Sequence, residues 1–262
     1  MAGIHPSAVV EPGACVASGV EIGACCTVGP NVELRPGVVL RPHVHVTGRT
    51  TIGGGTRIFS FATIGEEPQD KGFVPGGDDT ALEIGSGNVI REHTSIHVGT
   101  KGGGGVTRIG DDNLLMNGAH VGHDTQIGSH CIVATNVAIG GHCQIEDHAV
   151  LGGLVGVHQF VRVGESAMVA GMSGLRKDAP PFSLVAGGAG ATIRGVNELG
   201  LRRRGFSDEV RAEIKRAYKL FFYSKLRFEA ALAEARAESF RSEEAARLIH
   251  FLESSQRGFC RP

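Results

Sequence analysis

The sequence predicts a mainly β protein: a parallel β coil of triangular cross-section over residues 1–195, then a small α-helical domain over 196–262. Three observations carry this reading. An aliphatic residue recurs every six positions. The chain is rich in glycine and nearly empty of aromatics. The apolar spacing turns helical after Gly195.

Stepping by six from Ile4 meets Ile, Leu or Val at every position to Ile64. The step resumes from Ile84 to Ile96, and again from Ile109 to Leu175. Period six fits neither the 3.6 of an α-helix nor the two of a simple strand. It fits short flat strands joined by tight turns, with three six-residue sides making an 18-residue rung. Each aliphatic points inward and stacks on its equivalent in the next rung, ~4.8 Å along the axis. The residue after it is often glycine, as at Gly23, Gly53, Gly110, Gly122, Gly140 and Gly152, which is read as permitting turn conformations. Four positions after the aliphatic the residue is usually small, as at Ala62, Ala119, Ala149, Cys26, Cys131 and Cys143. Those cysteines read as core spacers rather than reactive thiols.

Two insertions interrupt the coil, near 65–83 and near 98–108. Insertions in a solenoid become loops on one face, often the binding face. The second holds Lys101 and the glycine run 102–105. No helix start follows to supply a dipole, so the run reads as a mobile loop tip rather than a phosphate cradle. Beyond the coil, Ser207 is an N-cap candidate with Asp208 and Glu209 in the first turn, and Val210, Ile214, Ala217 and Phe221 share one face. Ser242 with Glu243 and Glu244 starts another helix carrying Leu248, Ile249 and Leu252, and 229–238 reads as helical too.

Composition agrees and excludes several classes. Glycine is 40 of 262 residues, aromatics are 5%, tryptophan is absent, and hydrophobic residues are 41%. A column of Ile, Leu and Val replaces the usual aromatic core, and the chain is not disordered. No apolar run reaches the ~18 residues of a membrane span. A net charge of −1 argues against a global nucleic-acid binder. Six cysteines without a Cys-x-x-Cys spacing, and no basic-then-apolar leader pattern, place the expectation in a reducing cytoplasm.

Histidine is the unusual residue: twelve in all, eight of them between 93 and 158. The 18-residue rung puts His123, Gly141 and Gln159 in one column. It puts Asp124, His142 and Phe160 in the next. Histidine, with an unperturbed pKa of about 6.5, suits a general base near neutral pH. The Gly141 N–H suits an oxyanion, and Gln159 could orient a carbonyl. The plain alternative is a set of surface histidines at turns.

The run from Asp112 to Asp124 (DNLLMNGAHVGHD) resembles the signature of the UDP-N-acetylglucosamine acyltransferases, in the hexapeptide-repeat acyltransferase superfamily. So do 152–160 (GGLVGVHQF), 197–207 (NELGLRRRGFS), Ile64-Gly65-Glu66 and Gln69-Asp70, and the similarity runs nearly end to end. The resemblance implies a left-handed parallel β-helix. It implies transfer of an (R)-3-hydroxyacyl group from the phosphopantetheine of acyl carrier protein to the sugar 3-hydroxyl of UDP-N-acetylglucosamine, the first step of lipid A biosynthesis. No further cofactor and no metal is needed. On that reading His123 is the base, Asp124 orients it and the Gly141 N–H holds the oxyanion. Asp70, His120, His142, His158 and Gln159 contact sugar or acyl groups. Asn197, Arg203 and Arg204 meet the nucleotide. Gly171 falls at the position that gates acyl length, and glycine there implies a long chain. A homotrimer with sites between subunits follows from the same resemblance.

Some positions depart from the pattern. Asp70 and Lys71 are adjacent where relatives space them. Gly188-Ala189-Gly190 stands where relatives often carry a histidine. The acidic residue after Asn197 is displaced by one, at Glu198. Between Arg202 and Lys219 seven basic residues face three acidic ones. Arg211, Lys215, Arg216 and Lys219 would thus meet an acidic carrier protein, unless the segment is simply a solvated helical face. Three other readings stay in view: an acetyl-CoA-dependent acetyltransferase of the same fold, acylation of a 3-amino analogue of the sugar, and a non-catalytic scaffold. A zinc γ-class carbonic anhydrase needs two histidines five apart, whereas the close pairs here are His93 with His97 and His120 with His123.

Overall fold

A computed structural model describes residues 2–74, 80–238 and 240–262. Short strands, parallel throughout the coil, form three sheets of eleven, nine and eight strands, and each sheet takes every third strand in chain order until the last two strands of the largest. The register is 18 where the repeat is intact, as in Leu114 with Ile132 and Ile132 with Val150. It widens to 32 between Arg57 and Val89 and to 25 between Val89 and Leu114. The two insertions therefore add 14 and 7 residues without disturbing the stack. Strand Thr63–Glu66 enters the first insertion and Ala81–Ile84 leaves it, and its residues 75–79 lie outside the described ones.

Every period-six aliphatic from Ile22 to Leu175 is at most 4% exposed. Burying each contributes roughly 1.5–3 kcal/mol, so the column is the main stabilising element of the coil. Ile4 is 44% exposed because it sits at the end of the stack with no rung beneath it. The small-residue slots are filled as expected by Cys26, Ala62, Ala119, Cys131, Cys143 and Ala149. Burial pushes the Cys131 and Cys143 thiols up to about 12, so they stay protonated spacers. Two slots hold Asn88 and Asn113, and Asn88 Oδ1 accepts the Asn113 N–H at 2.9 Å while Asn113 Oδ1 accepts the Cys131 N–H at 2.7 Å.

The reason for glycine after the aliphatic differs from the sequence reading. The left-handed corner conformation falls two residues later, often on residues with side chains: Cys25, His43, Phe61, His93, Asp112, Asp124, His130, Asn136, His142, His148 and Phe160 among them. The glycines serve close approach instead. A Cβ on Gly122 would lie 2.7 Å from the Gly141 nitrogen, and one on Gly152 would lie 2.5 Å from that of Gly171. A side chain in the left-handed region costs ~1–2 kcal/mol. Stacking between rungs offsets part of it: His43 on Phe61, Phe61 on His93, His130 on His148 and His142 on Phe160.

The coil runs past 178–181. Ala179 bridges Val163, strand Ser183–Ala186 pairs in parallel with Met168–Val169, and Thr192–Val196 turns back antiparallel. Among the described residues four α-helices follow, α1 (Glu198–Arg203), α2 (Asp208–Tyr218), α3 (Phe228–Ala237) and α4 (Glu243–Ser254), with a π-helical turn at Lys219–Tyr223 continuing α2. Ser207 and Ser242 cap α2 and α4 as expected, whereas the short α1 was not foreseen. The tail folds onto the coil: the Arg162 guanidinium lies 4.1 Å from the Phe251 ring, and Glu165 pairs with both Arg204 and Arg247. The last residues lie along the final coil, the Cys260 N–H meeting Asp178 O at 2.8 Å. Among the described residues no helix is long and apolar enough to cross a membrane.

Candidate active site

Asp124, His142 and Phe160 occupy one corner of three successive rungs, all in the left-handed region. The His142 and Phe160 rings stack at 4.4 Å, 6° from parallel. One rung away the stack gives way to the Asp124 carboxylate, whose Oδ2 lies 3.8 Å from His142 Nε2. His123, the residue before Asp124, sends its Nδ1 to the same Oδ2 at 2.8 Å. A carboxylate accepts, so Nδ1 carries the proton and a neutral His123 keeps its lone pair at Nε2. The Asp124 side chain is 1% exposed and that of His123 is 16% exposed, so the acceptor is buried while the base reaches the surface.

The His123 ring lies against the Gly141 backbone: a Gly141 Cβ would sit 2.8 Å from Nε2. Only glycine fits there. The Gly141 N–H has no hydrogen-bond acceptor among the described residues, and Gly122 leaves the space in front of it open. Base and free amide thus stand side by side, as the 18-residue arithmetic predicts. Gln159 is exposed one rung on. The nearby atoms of His123, Asp124 and His142 lie within 4.8 Å of one another, so these three residues are also where a metal ion would find ligands.

The glycine run corrects the expectation of a mobile tip. Its first turn is a short 3-10 helix, and Thr100 donates to Asp124 twice, through N–H to Oδ1 at 2.9 Å and through its hydroxyl to Oδ2 at 2.7 Å. Gly103 lies flush on the dyad, where a Cβ would be 2.1 Å from Asp124 Oδ2. The two insertions meet here. Asp70, Phe73 and Thr80 from the first and Thr100, Lys101 and Gly102 from the second line a pocket of about 510 Å³. Asp70 holds its loop by accepting the Gly72 N–H at 2.9 Å.

His120 shares a hydrogen bond with Ser95 Oγ at 2.8 Å and meets the His97 ring edge-on at 5.0 Å. His97, absent from the sequence-based set, is 5% exposed, and its Nδ1 has no partner among the described residues. Burial, then the neighbouring His120, pushes its pKa down to about 4, and burial lowers that of His120 as well. An apolar groove of about 480 Å³ runs from His120 past Gly140, Val157 and His158 to Leu175 and Ala189. Beyond it a polar cleft of about 420 Å³ holds His142, Phe160, Arg162 and Arg257, with Arg257 Nη2 3.3 Å from His158 Nδ1. A hollow of about 990 Å³ lies along the sheet that carries Gln126 and Gln144 and reaches Arg247.

A family model described as bacterial transferase hexapeptide, six repeats, matches residues 106–141. Another, described as Udp N-acetylglucosamine O-acyltransferase, domain 2, matches residues 178–260. An acyl-[acyl-carrier-protein]–UDP-N-acetylglucosamine O-acyltransferase of Anaeromyxobacter is 50% identical over 258 residues, covering 98% of this chain and 99% of that protein. One of Myxococcus xanthus is 47% identical over all of both chains. The chain belongs to the UDP-N-acetylglucosamine O-acyltransferase family. Solved acyltransferases of this family superpose closely: that of Francisella novicida with TM-score 0.96 at 37% identity, covering 99% of this chain and 94% of its own. That of Campylobacter jejuni gives 0.93 at 36% identity, covering 99% of each. The coil is accordingly the left-handed parallel β-helix of the UDP-N-acetylglucosamine O-acyltransferases.

Other positions singled out from the acyltransferase motif lie outside this cluster. Asn197 is the N-cap of α1: its Oδ1 accepts the Gly200 N–H at 3.1 Å and its Nδ2 donates to Ser166 O at 3.0 Å. Arg204 is tied to Glu165 at 2.8 Å and to Ser166, while the exposed Arg203 has no ion pair among the described residues. Gly171 is at an exposed corner, where a Cβ would be 3.1 Å from Gly153 O, and it does not line the apolar groove. The basic segment is partly neutralised within the chain: Arg211 pairs with Asp208, Lys215 with Glu198, and Arg216 with Glu213 and Glu238. Lys219 is exposed and has no ion pair among the described residues.

Proposed function

We propose that this chain transfers an (R)-3-hydroxyacyl group from acyl carrier protein to the 3-hydroxyl of UDP-N-acetylglucosamine, opening lipid A biosynthesis. The observation that carries the mechanism is the pairing of an unblocked His123 Nε2 with an unused Gly141 N–H. His123 Nε2 takes the hydroxyl proton as the sugar oxygen attacks the thioester carbonyl carbon. Asp124 fixes the tautomer and stabilises the imidazolium that forms. The Gly141 N–H donates to the oxyanion. Collapse breaks the carbon–sulfur bond, and the phosphopantetheine thiolate leaves with the proton from His123. The substrate supplies the nucleophile and the donor supplies the leaving group, so no resident cofactor enters this scheme.

In this reading Asp70, His120, His142, His158 and Gln159 contact sugar or acyl groups, and the groove from His120 to Ala189 takes the acyl chain. Asn197, Arg203 and Arg204 serve the nucleotide, Gly171 gates chain length, and Arg211, Lys215, Arg216 and Lys219 face the carrier protein. The enzyme works in the cytoplasm as a homotrimer with sites between subunits. Exposed Phe160 at the corner of the dyad, and exposed Leu154 and Met172 on another corner, leave apolar surface for a second copy, and sedimentation equilibrium measures the assembly.

A radiolabel transfer assay tests the reaction. Long-chain 3-hydroxyacyl carrier protein is offered with UDP-N-acetylglucosamine or its 3-amino analogue to wild type and to His123→Ala. Transfer by wild type alone supports the reading, and the better acceptor distinguishes ester from amide chemistry. No transfer to either sugar, with turnover of acetyl-CoA instead, refutes it.

A further inference from the structure

Thr100 stands three residues beyond strand Ser95–His97, in a loop that belongs to no rung of the repeat. It nevertheless touches the centre of the site. Its N–H reaches one oxygen of Asp124 and its hydroxyl reaches the other. Two donors from one residue to both oxygens of one carboxylate fix the plane of that carboxylate, and charge-assisted bonds of this kind are stronger than neutral ones. Asp124 Oδ2 is also the atom that takes the His123 Nδ1 proton bond, so the plane of the carboxylate sets the direction of the imidazole.

The loop is built to hold Thr100 in place. Gly103 and Gly105 both donate to Thr100 O, at 3.0 and 2.9 Å. A Cβ on Gly99 would lie 2.3 Å from the Gly105 carbonyl carbon, so the two ends of the loop close on each other. These backbone contacts need no hydroxyl. The Thr100 hydroxyl serves Asp124 alone among the described residues.

We propose that Thr100 is a positioning residue for the acyl transfer: it holds the Asp124 carboxylate in the plane that aims His123 Nε2 at the acceptor hydroxyl. The inference rests on the reaction proposed above. It assigns the second insertion a role in the chemistry, besides lining the pocket it shares with Asp70.

Thr100→Val keeps the shape and the backbone groups and removes only the hydroxyl. It should lower kcat about tenfold, with KM for either substrate within about twofold. Thr100→Ser should restore most of the loss. In an Asp124→Ala background, Thr100→Val should cost less than about twofold more, because no carboxylate is left to orient. Wild-type kcat in Thr100→Val, or a full additional loss in the Asp124→Ala background, would overturn the proposal. A crystal structure of Thr100→Val reads the same point without turnover. The Asp124 carboxylate should be rotated and its contact with His123 lengthened beyond 2.8 Å; an unmoved carboxylate would overturn the proposal as well. A wild-type enzyme that moves no hydroxyacyl group would refute the reaction, while the crystal comparison would still decide what Thr100 does.

Discussion

Three consecutive glycines in the second insertion make a graded experiment. A Cβ on Gly103 would sit 2.1 Å from Asp124 Oδ2, 2.3 Å from its Cγ and 2.4 Å from His142 Cε1. Ordinary contact begins near 3.4 Å, so Gly103→Ala must separate loop and dyad by more than about 1 Å. Thr100 rides on the same loop, so the carboxylate loses its donors as the loop lifts. A misplacement of ~1 Å at a reacting group costs roughly 100-fold in rate. Gly102→Ala meets nothing within 4 Å and requires no unusual φ, so it should be silent. Gly104→Ala also meets nothing, but its φ of +103 makes a side chain cost ~1–2 kcal/mol. Its thermal midpoint should fall by a few degrees, at about 2–4 °C per kcal/mol, with kcat nearly unchanged. The assay is kcat for hydroxyacyl transfer beside the unfolding midpoint of each variant. Equal losses in all three, or a fully active Gly103→Ala, would refute the idea that the loop lies against the dyad for catalysis.

Four further outcomes follow from the geometry. His97 has a folded pKa of about 4 against about 6.5 unfolded, so the unfolded chain binds more protons between these values; stability is full above pH 6.5 and lost as pH falls. Urea unfolding should show about 2–3 kcal/mol lost between pH 7 and 4.5 from this group, and His97→Leu should lose that much less. Asn197→Ala removes the α1 cap and the bond to Ser166, so it should cost about 1 kcal/mol in unfolding experiments, and the role proposed for Asn197 at the nucleotide predicts that KM for the nucleotide sugar rises severalfold as well. Lys219→Glu breaks no ion pair seen among the described residues and should raise KM for carrier protein severalfold, an effect that fades with added salt; Lys215→Glu also breaks a pair with Glu198, so it should lower the melting midpoint too. Gly171→Met should shift preference among carrier thioesters toward shorter chains, and an unchanged preference would refute the gating role proposed for Gly171.

The coil was legible because its information is periodic. An aliphatic every six residues fixes the interior, and the 18-residue rung then fixes which residues are neighbours. The juxtaposition of His123 with Gly141, and of Asp124 with His142, follows from subtraction of residue numbers and needs no side-chain geometry. Thr100 was illegible for the converse reason. Its loop adds 7 residues to the register, and arithmetic on the repeat says nothing about where an insertion folds. The glycine run beside it suited a loose tip by composition. The absence of room above Asp124, which requires glycine at Gly103, is visible only in three dimensions. The glycines after each aliphatic were found correctly and explained wrongly, because close approach and positive φ select the same residue. Helix α1 was missed because six residues with Gly200 inside give too little apolar spacing to read.

The corners explain why the chemistry sits where it does. A coil of two-residue strands has no cleft of its own, and its interior is closed by Ile, Leu and Val. Function must use the corners, and the corners demand left-handed backbone. Asp and His are among the side-chain-bearing residues that adopt it most readily, and they are also acid–base groups. Along one corner the stack of Phe160 on His142 continues into Asp124, so substituting a carboxylate for a ring places an acceptor directly on a histidine ladder. The residue before it in the same turn, His123, then sends its Nδ1 to that carboxylate. One acidic residue within an otherwise structural ladder thus creates the dyad. A single short insertion supplies the donors that the bare coil lacks, holding the new carboxylate still.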